Sequence, residues 1–305
     1  MRIIAFEQYR GKAPVKIGHY FFEELISTKE AFVKVIGNDY PSDNPMYKGK
    51  LTTVLEIETF NPDALFFGTW YINKIIKEKD QRAIETIKNT TKPKFCIVTD
   101  YPYRKEEHNA IWEKLGIKNI LCLHKSDRFN YYYCPWSINE KVFFDRKQEK
   151  IYDTAVFGRL DPHLYPMRYR AHCLFSQHFK EKYFFQGAVI DFSHGLSLKR
   201  PEGGVIKSPT MEEYSSLLNQ CKICFTDGQH AELANAKYSE IAGSNCLIMS
   251  PKFRKSKDLD LAGFEKGKNI VYVNYEDTDL DIIKKTEKIL NNPSKLEEMS
   301  LSGYD

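Results

Sequence analysis

Residues 216–250 read SLLNQCKICFTDGQHAELANAKYSEIAGSNCLIMS, and this stretch decides the fold. Cys221–Phe225 is an apolar run too short for a helix and bounded by polar residues, as a buried strand should be. A polar loop follows, then a helix over the KYSEIA run, a glycine turn, and a second apolar run ending at Ser250. Strand, loop, helix and strand in that order predict two parallel strands joined by a helical crossover. Glu232 and Glu240 lie in the loop and helix, separated by seven residues, with Lys237 between them. A carboxylate can accept two hydroxyl donors at once. A helix N-terminus beside it offers free N–H groups to an anion. The pattern therefore suits a ligand that carries both hydroxyls and a diphosphate.

The same alternation extends in both directions. Upstream, Arg2–Phe6, Ala31–Ile36, Ala64–Phe67, Phe95–Thr99 and Asn119–Leu123 read as strands. Leu51–Phe60, Ile72–Lys88 and Glu106–Leu115 read as helices, the second of them long. Tyr131–Tyr133 leads into Pro135-Trp136, and the polar segment Cys134–Lys150 is expected to be an irregular linker. A second half then restarts with the strand Tyr152–Phe157. It continues with a helix from Met167 to about Lys180, a strand at Tyr183–Gln186, a Gly- and Pro-rich loop over Asp191–Ser208, and a helix at Met211–Asn219. Beyond Ser250 come a basic loop, a strand at Ile270–Val273 and a helix at Leu280–Leu290, and Pro293–Ser302 is expected only to begin a further one. The expectation is an α/β protein of two Rossmann-like domains, 1–148 and 149–305, facing each other across a cleft. In open α/β sheets ligands sit outside the carboxyl ends of the strands.

Composition narrows the function classes. The chain has 305 residues, 42% hydrophobic and 28% charged, as a packed globular protein requires. A net charge of +4 is too mild for a nucleic-acid-binding signature but fits an anionic ligand. Aromatic residues at 14% suit either sugar-stacking surfaces or a core filled with Phe and Tyr. The seven cysteines sit mostly in apolar runs and read as reduced core thiols. Cys221 and Cys224 form a C-x-x-C, but neither a second such pair nor a suitably spaced histidine pair accompanies it. No apolar run approaches a membrane span, and MRIIAFEQYRGK does not resemble a signal peptide. A cytoplasmic protein is expected. The basic run Lys252–Lys257 reads as a solvated loop and leaves a peripheral membrane contact open.

The Glu232–Glu240 spacing resembles the E-x7-E motif of retaining GT-B glycosyltransferases of the family-4 type. KYSEIAGSNCLI is similar to their helix followed by a hydrophobic strand. AVFGRLDPHLYPMR, with Gly158-Arg159 and Tyr165-Pro166-x-Arg168, resembles the spore-maturation (CgeB-like) branch, and so does Lys237 ahead of Glu240. PWSIN at 135–139 resembles the linker between the halves of such enzymes. Two departures stand out: Leu-Ala-Asn-Ala after Glu232 lacks the family's glycine-rich run, and Gly243 comes early.

The resemblance implies a glycosyltransferase that moves a sugar from a UDP- or GDP-sugar to a glycan, lipid-linked or other hydroxyl acceptor. Retention is implied with it. No obligatory metal or cofactor is expected, since no D-x-D follows an apolar strand, and from the mild net charge no nucleic-acid partner is expected. Glu232 would face the donor sugar and Glu240 the ribose. Arg159, Arg168 and Lys237 would hold the diphosphate, with Tyr238, Asp227 and His230 as further donor contacts. Asp227 and His230 equally suit a plain Asp-Gly turn, and the arginines a solvated surface. In the first half, Gly11 and Gly18 lie in the loop after the first strand. Asp100 ends a buried strand and is placed as an acceptor contact or base, and His19 is either a cleft residue or a structural helix start. Asp258-Leu259-Asp260 spells D-x-D but lacks the preceding apolar strand, and reads as incidental. The rivals are an inverting GDP-fucose-type fucosyltransferase and a catalytically silent sugar-binding scaffold of the same fold.

Overall fold

The computed structural model of the chain describes residues 1–6, 25, 27–36, 53–98, 105–123, 131–134, 136, 138–187, 189–191, 197–199, 209–228 and 232–304. They form an α/β protein divided into two compact units, Met1–Pro135 and Trp136–Asp305.

The first unit holds strands β1 (Arg2–Phe6), β2 (Phe32–Ile36), β3 (Ala64–Gly68), β4 (Lys94–Val98), β5 (Asn119–Cys122) and β6 (Tyr131–Tyr133). They lie in the order β2-β1-β3-β4-β5-β6, every neighbouring pair parallel. Runs such as ALFFG and KFCIV are apolar throughout because helices cover both faces of a parallel sheet. Ile4, Phe6, Leu65, Phe67 and Val98 enter one core, and Ile3, Ala5, Val33 and Ile97 the opposite one. The helices are α1 (Thr53–Phe60), α2 (Thr69–Lys77), α3 (Gln81–Asn89) and α4 (Lys105–Leu115).

The long helix expected over Ile72–Lys88 is two helices. Lys79 turns into the left-handed region with φ 54°. Asp80 then accepts the Ala83 N–H at 3.0 Å and caps the next helix. A capping carboxylate offers the chain an alternative to continuing the helix, and the apolar period on either side masked that break.

Lys94 ties the ends of two helices to the sheet. Its ammonium donates to the carbonyls of Ile87 at 2.8 Å, Lys88 at 3.2 Å and Leu115 at 3.3 Å. These acceptors belong to the last turns of α3 and α4, where helix carbonyls lack partners and attract a cation. Lys94→Met is expected to remove about 2 kcal/mol of stability, the scale of a hydrogen bond to a charged group. The check is a lowered melting temperature in calorimetry; an unchanged one would show that water replaces the ammonium at no cost.

The second unit holds β7 (Tyr152–Phe157), β8 (Tyr183–Gln186), β9 (Val189–Asp191), β10 (Ser197–Lys199), β11 (Cys221–Phe225), β12 (Leu247–Pro251) and β13 (Ile270–Val273). Its main sheet has the order β13-β12-β11-β7-β8, all parallel. β9 and β10 pair antiparallel; β10 and the last residue of β9 fall in the stretch expected to be loop. The helices are α5 (Pro166–His178), α6 (Met211–Asn219), α7 (Ala236–Gly243), α8 (Asp258–Leu261), α9 (Asp279–Leu290) and α10 (Pro293–Tyr304). In both sheets the chain goes from an inner strand to a flanking one, then crosses to the other side. In the second unit the direction reverses between β7 and β11, and such a switch point opens a crevice at the carboxyl ends of the strands.

The expected linker is ordered on the second unit. Val142 and Phe143 are buried. The Arg146 N–H donates to Asn219 Oδ1 at 2.7 Å, and Asn219 Nδ2 to the Phe144 carbonyl at 3.0 Å. Cys221, Cys224 and Cys246 are free and buried, the core reading of the C-x-x-C. Burial pushes the Cys246 thiol up to about 11, so it stays protonated and inert. Among the described residues no helix is long and apolar enough to cross a membrane.

Candidate functional site

Gly158 ends β7 at the switch point with φ 103°, a backbone state that suits glycine. A Cβ there would lie 2.8 Å from Lys237 Cε and 3.4 Å from Arg168 Nη1. The end of β7 thus runs directly against two basic side chains. Gly158 donates its N–H to the Gln186 carbonyl at 2.8 Å. The next residue, Gly187, passes so close that its own Cβ would fall 1.7 Å from the Gly158 carbonyl oxygen. Two glycines let the ends of β7 and β8 meet where side chains would hold them apart.

Arg168 is 1% exposed and Asp227 2% exposed. Arg168 Nη2 pairs with Asp227 Oδ1 at 3.1 Å and donates to the Asp227 carbonyl at 3.2 Å, while Nη1 donates to the Arg159 carbonyl at 3.3 Å. The guanidinium lies 4.0 Å over the Tyr165 ring. Asp227 Oδ2 accepts the Arg168 backbone N–H at 2.9 Å, so it caps α5 from the end of β11. The fork expected to hold a diphosphate is therefore spent on protein groups. Arg168 binds the ends of β7 and β11 to the start of α5, and its charge reaches the site only through its field.

Arg159 stands at the surface of the same turn, with its side chain 44% exposed. It donates to Asp161 Oδ2 at 2.8 Å. Asp161 is buried and also accepts the N–H groups of His163 and Leu164, each at 3.0 Å. Burial alone would raise the Asp161 carboxyl. The Leu164 and His163 amides and the Arg159 guanidinium outweigh it and hold the group below the usual carboxylate range. Arg159 is thus an oriented cation on a fixed turn.

Helix α7 carries the next three groups. Asn235 caps it, accepting the Lys237 N–H at 3.0 Å, and donates to the Asp227 carbonyl at 3.1 Å. Lys237 and Glu240 sit one turn apart on the same face. Burial pushes the Lys237 ammonium down, with Glu240 opposing the shift and Arg168 adding to it. Burial pushes the Glu240 carboxyl up, against Lys237 and a hydrogen bond from Tyr214. That bond runs from the Tyr214 hydroxyl to Glu240 Oε2 at 3.1 Å. Tyr238, expected as a donor contact, points elsewhere. Its ring packs between Phe253 and Phe264 and its hydroxyl meets Ser250 Oγ at 2.7 Å, so it is a core residue.

Glu232 takes φ 52° and is 5% exposed. Its Oε2 accepts the backbone N–H groups of both Arg254 and Lys255. The basic loop thus has its backbone locked onto this carboxylate while Lys252, Arg254, Lys255 and Lys257 stay exposed. Glu232 and Asp227 line a recess of about 180 Å³ with Pro166, Met167 and Tyr275. Burial, with the Glu232 and Asp227 charges beside it, pushes the Tyr275 hydroxyl up to about 12, so it remains a donor.

The sequence-expected groups Gly158, Arg159, Arg168, Asp227, Glu232, Lys237 and Glu240 gather around the carboxyl ends of the inner strands β7 and β11. His19, Asp100 and His230, with Gly11 and Gly18, lie outside the described residues. Asp258-Leu259-Asp260 lies in the helical turn α8, with Asp258 buried. Among the described residues no three metal-type side chains gather at one point. Tyr214, Asp161, Asn235 and Tyr275 escaped the sequence reading. Asn235 carried a signal, being an N-cap residue directly ahead of the helix, and Asp161 has its partners close by, two and three residues away; Tyr214 and Tyr275 owe their roles to contacts with distant segments.

The chain matches no protein-family model and no curated protein. Solved structures do resemble it. An alpha-glucosyltransferase in complex with UDP and a 13-mer DNA containing an HMU base shares 11% identity with a TM-score of 0.65. That match covers 100% of this chain and 94% of the other. HepE from Anabaena, in complex with UDP and glucose, shares 8% identity with a TM-score of 0.56, over 100% and 94%. The fold is GT-B. In GT-B terms the two parallel sheets are the two Rossmann-like domains, and the cluster around Gly158 lies at the switch point of the second.

Proposed function

We propose that the chain is a glycosyltransferase that takes a sugar from a nucleotide-diphospho-sugar, with the donor held by the second unit and the acceptor by the first. One observation carries the reading: Lys237 and Glu240 share one face at the start of a capped helix, and that face abuts Gly158 at the switch point. A cation and a carboxylate one turn apart match a diphosphate and the ribose hydroxyls next to it. Lys237, Arg159 and the N–H groups of α7 would stabilise the departing nucleoside diphosphate as its bond to the sugar breaks. The recess between Glu232, Asp227 and Tyr275 has acceptors and a donor for a sugar ring. Charge stabilisation by side chains and a helix start suits a metal-independent reaction, and the E-x7-E spacing suits retention.

The acceptors to test are glycans and lipid-linked hydroxyls. Because a similar fold was solved with DNA, DNA containing an HMU base belongs among them. A silent sugar-binding protein is the second reading, favoured by the two backbone amides that already occupy Glu232 Oε2.

The test is a melting-temperature panel with UDP, GDP, ADP, CMP and dTDP, followed by sugar release from the matching nucleotide sugar with and without EDTA. A ligand at a hundredfold excess over its Kd adds about 2.7 kcal/mol of stability, several degrees for a unit of this size. The expected result is a shift with one nucleotide and turnover that survives EDTA. Binding without turnover favours the silent reading, and no shift with any of them sinks the donor-site assignment.

A further inference from the structure

Tyr214 stands on α6, outside every motif described above, yet it touches both groups that carry the proposed function. Its hydroxyl donates to Glu240 Oε2 at 3.1 Å. Its ring lies 5.7 Å from the Lys237 ammonium, which sits over the ring face. The ring itself is held edge-on by Phe143, at 5.9 Å and 81°, and by Phe157, at 5.3 Å and 64°. These neighbours come from the segment ordered on the second unit and from the end of β7. α6 is in turn fixed by a capping box between Thr210 and Glu213.

We propose that Tyr214 is a positioning residue for the nucleotide donor: it holds one oxygen of Glu240 and turns the other toward the ribose hydroxyls. Among the described residues Tyr214 is the hydrogen-bond donor to Glu240, so Oε1 is left for a ligand. A buried carboxylate with neither oxygen held would rotate and would favour its protonated form, which accepts fewer hydroxyl donors. The cation over the ring gives Tyr214 a second function, keeping the Lys237 ammonium on the same side as the carboxylate. This inference rests on the donor-site reading above and adds a residue to it.

Tyr214→Phe keeps the ring, its packing and the Lys237 contact, and removes only the hydroxyl. The experiment is titration calorimetry of the wild-type chain and of Tyr214→Phe with UDP and with its 2′,3′-dideoxy analogue; GDP and its analogue are run in parallel. The expected result is that the variant binds the ribonucleotide about tenfold more weakly, the scale of one hydrogen bond to a charged group. The dideoxy analogue, which has no hydroxyls for Glu240, should bind both proteins within about twofold. Equal weakening for both ligands would mean a merely structural role and overturn the inference, as would no weakening for either. A wild-type chain that binds neither ribonucleotide, nor any other nucleotide of the melting panel, would overturn the donor-site reading itself, and this inference with it.

Discussion

Lys237→Met is expected to lower kcat/KM for sugar release by a factor of about 10²–10³, the scale of losing one preorganised group that stabilises a leaving group. Methionine keeps most of the stem that packs against Gly158, so the change removes charge and little else. The loss should fall mainly on kcat, because the charge on the departing diphosphate grows as its bond to the sugar breaks. Lys237→Arg is expected not to restore activity. The Gly158 backbone already crowds the lysine stem, a Cβ on it coming within 2.8 Å of Lys237 Cε. The wider guanidinium would have to pass that strand end, and it is not interchangeable with a compact ammonium. Initial rates with the nucleotide sugar found by the melting panel provide the check. If Lys237→Met stays within about threefold of the wild type, Lys237 is not part of the phosphate clamp.

Asp227→Ala is expected to destabilise the second unit by about 3–5 kcal/mol, the usual consequence of stranding one member of a buried ion pair. Arg168 has no route to water at 1% exposure. The same substitution removes the cap on α5, since Asp227 Oδ2 accepts the Arg168 N–H. For a unit of this size the melting temperature should fall by roughly 10 °C. The double variant Arg168→Met/Asp227→Ala should recover part of that loss, because no charge is then left unpaired in the interior. Calorimetry of the wild type, both single variants and the double variant decides the matter. A strictly additive double variant would refute the pairing account, whereas partial recovery supports it. Together these results would separate Arg168, which holds the site's frame, from Lys237, which acts on the ligand.

Much of the frame was legible in the chain because it rests on local signals. Cys221–Phe225 and Leu247–Pro251 are strands because apolar runs of that length can be buried on both faces. Met211–Asn219 is a helix with a capping box written into Thr210-x-x-Glu213. The long helix over Ile72–Lys88 was misread because its apolar period continues across Lys79-Asp80, where one left-handed residue and one capping side chain break it. The loop expected over Asp191–Ser208 holds the strand Ser197–Lys199 and the last residue of its partner Val189–Asp191; each is only three residues long, too short for a periodic signal to reveal it.

The sequence by itself determined the alternation of strands and helices and the Glu232–Lys237–Glu240 spacing, since both depend on residues within one or two turns of each other. Only the tertiary structure decided what each charge does. Asp227 reaches Arg168 across 59 positions, and Tyr214 reaches Glu240 across 26. Glu232 is engaged by amides 22 and 23 residues further on. Arg168, Arg159 and Lys237 look alike in the chain, yet one is buried in an ion pair, one is oriented at the surface, and one stands with a carboxylate beside Gly158. A side chain's partner depends on which strand ends the sheet brings together, and no local pattern encodes that.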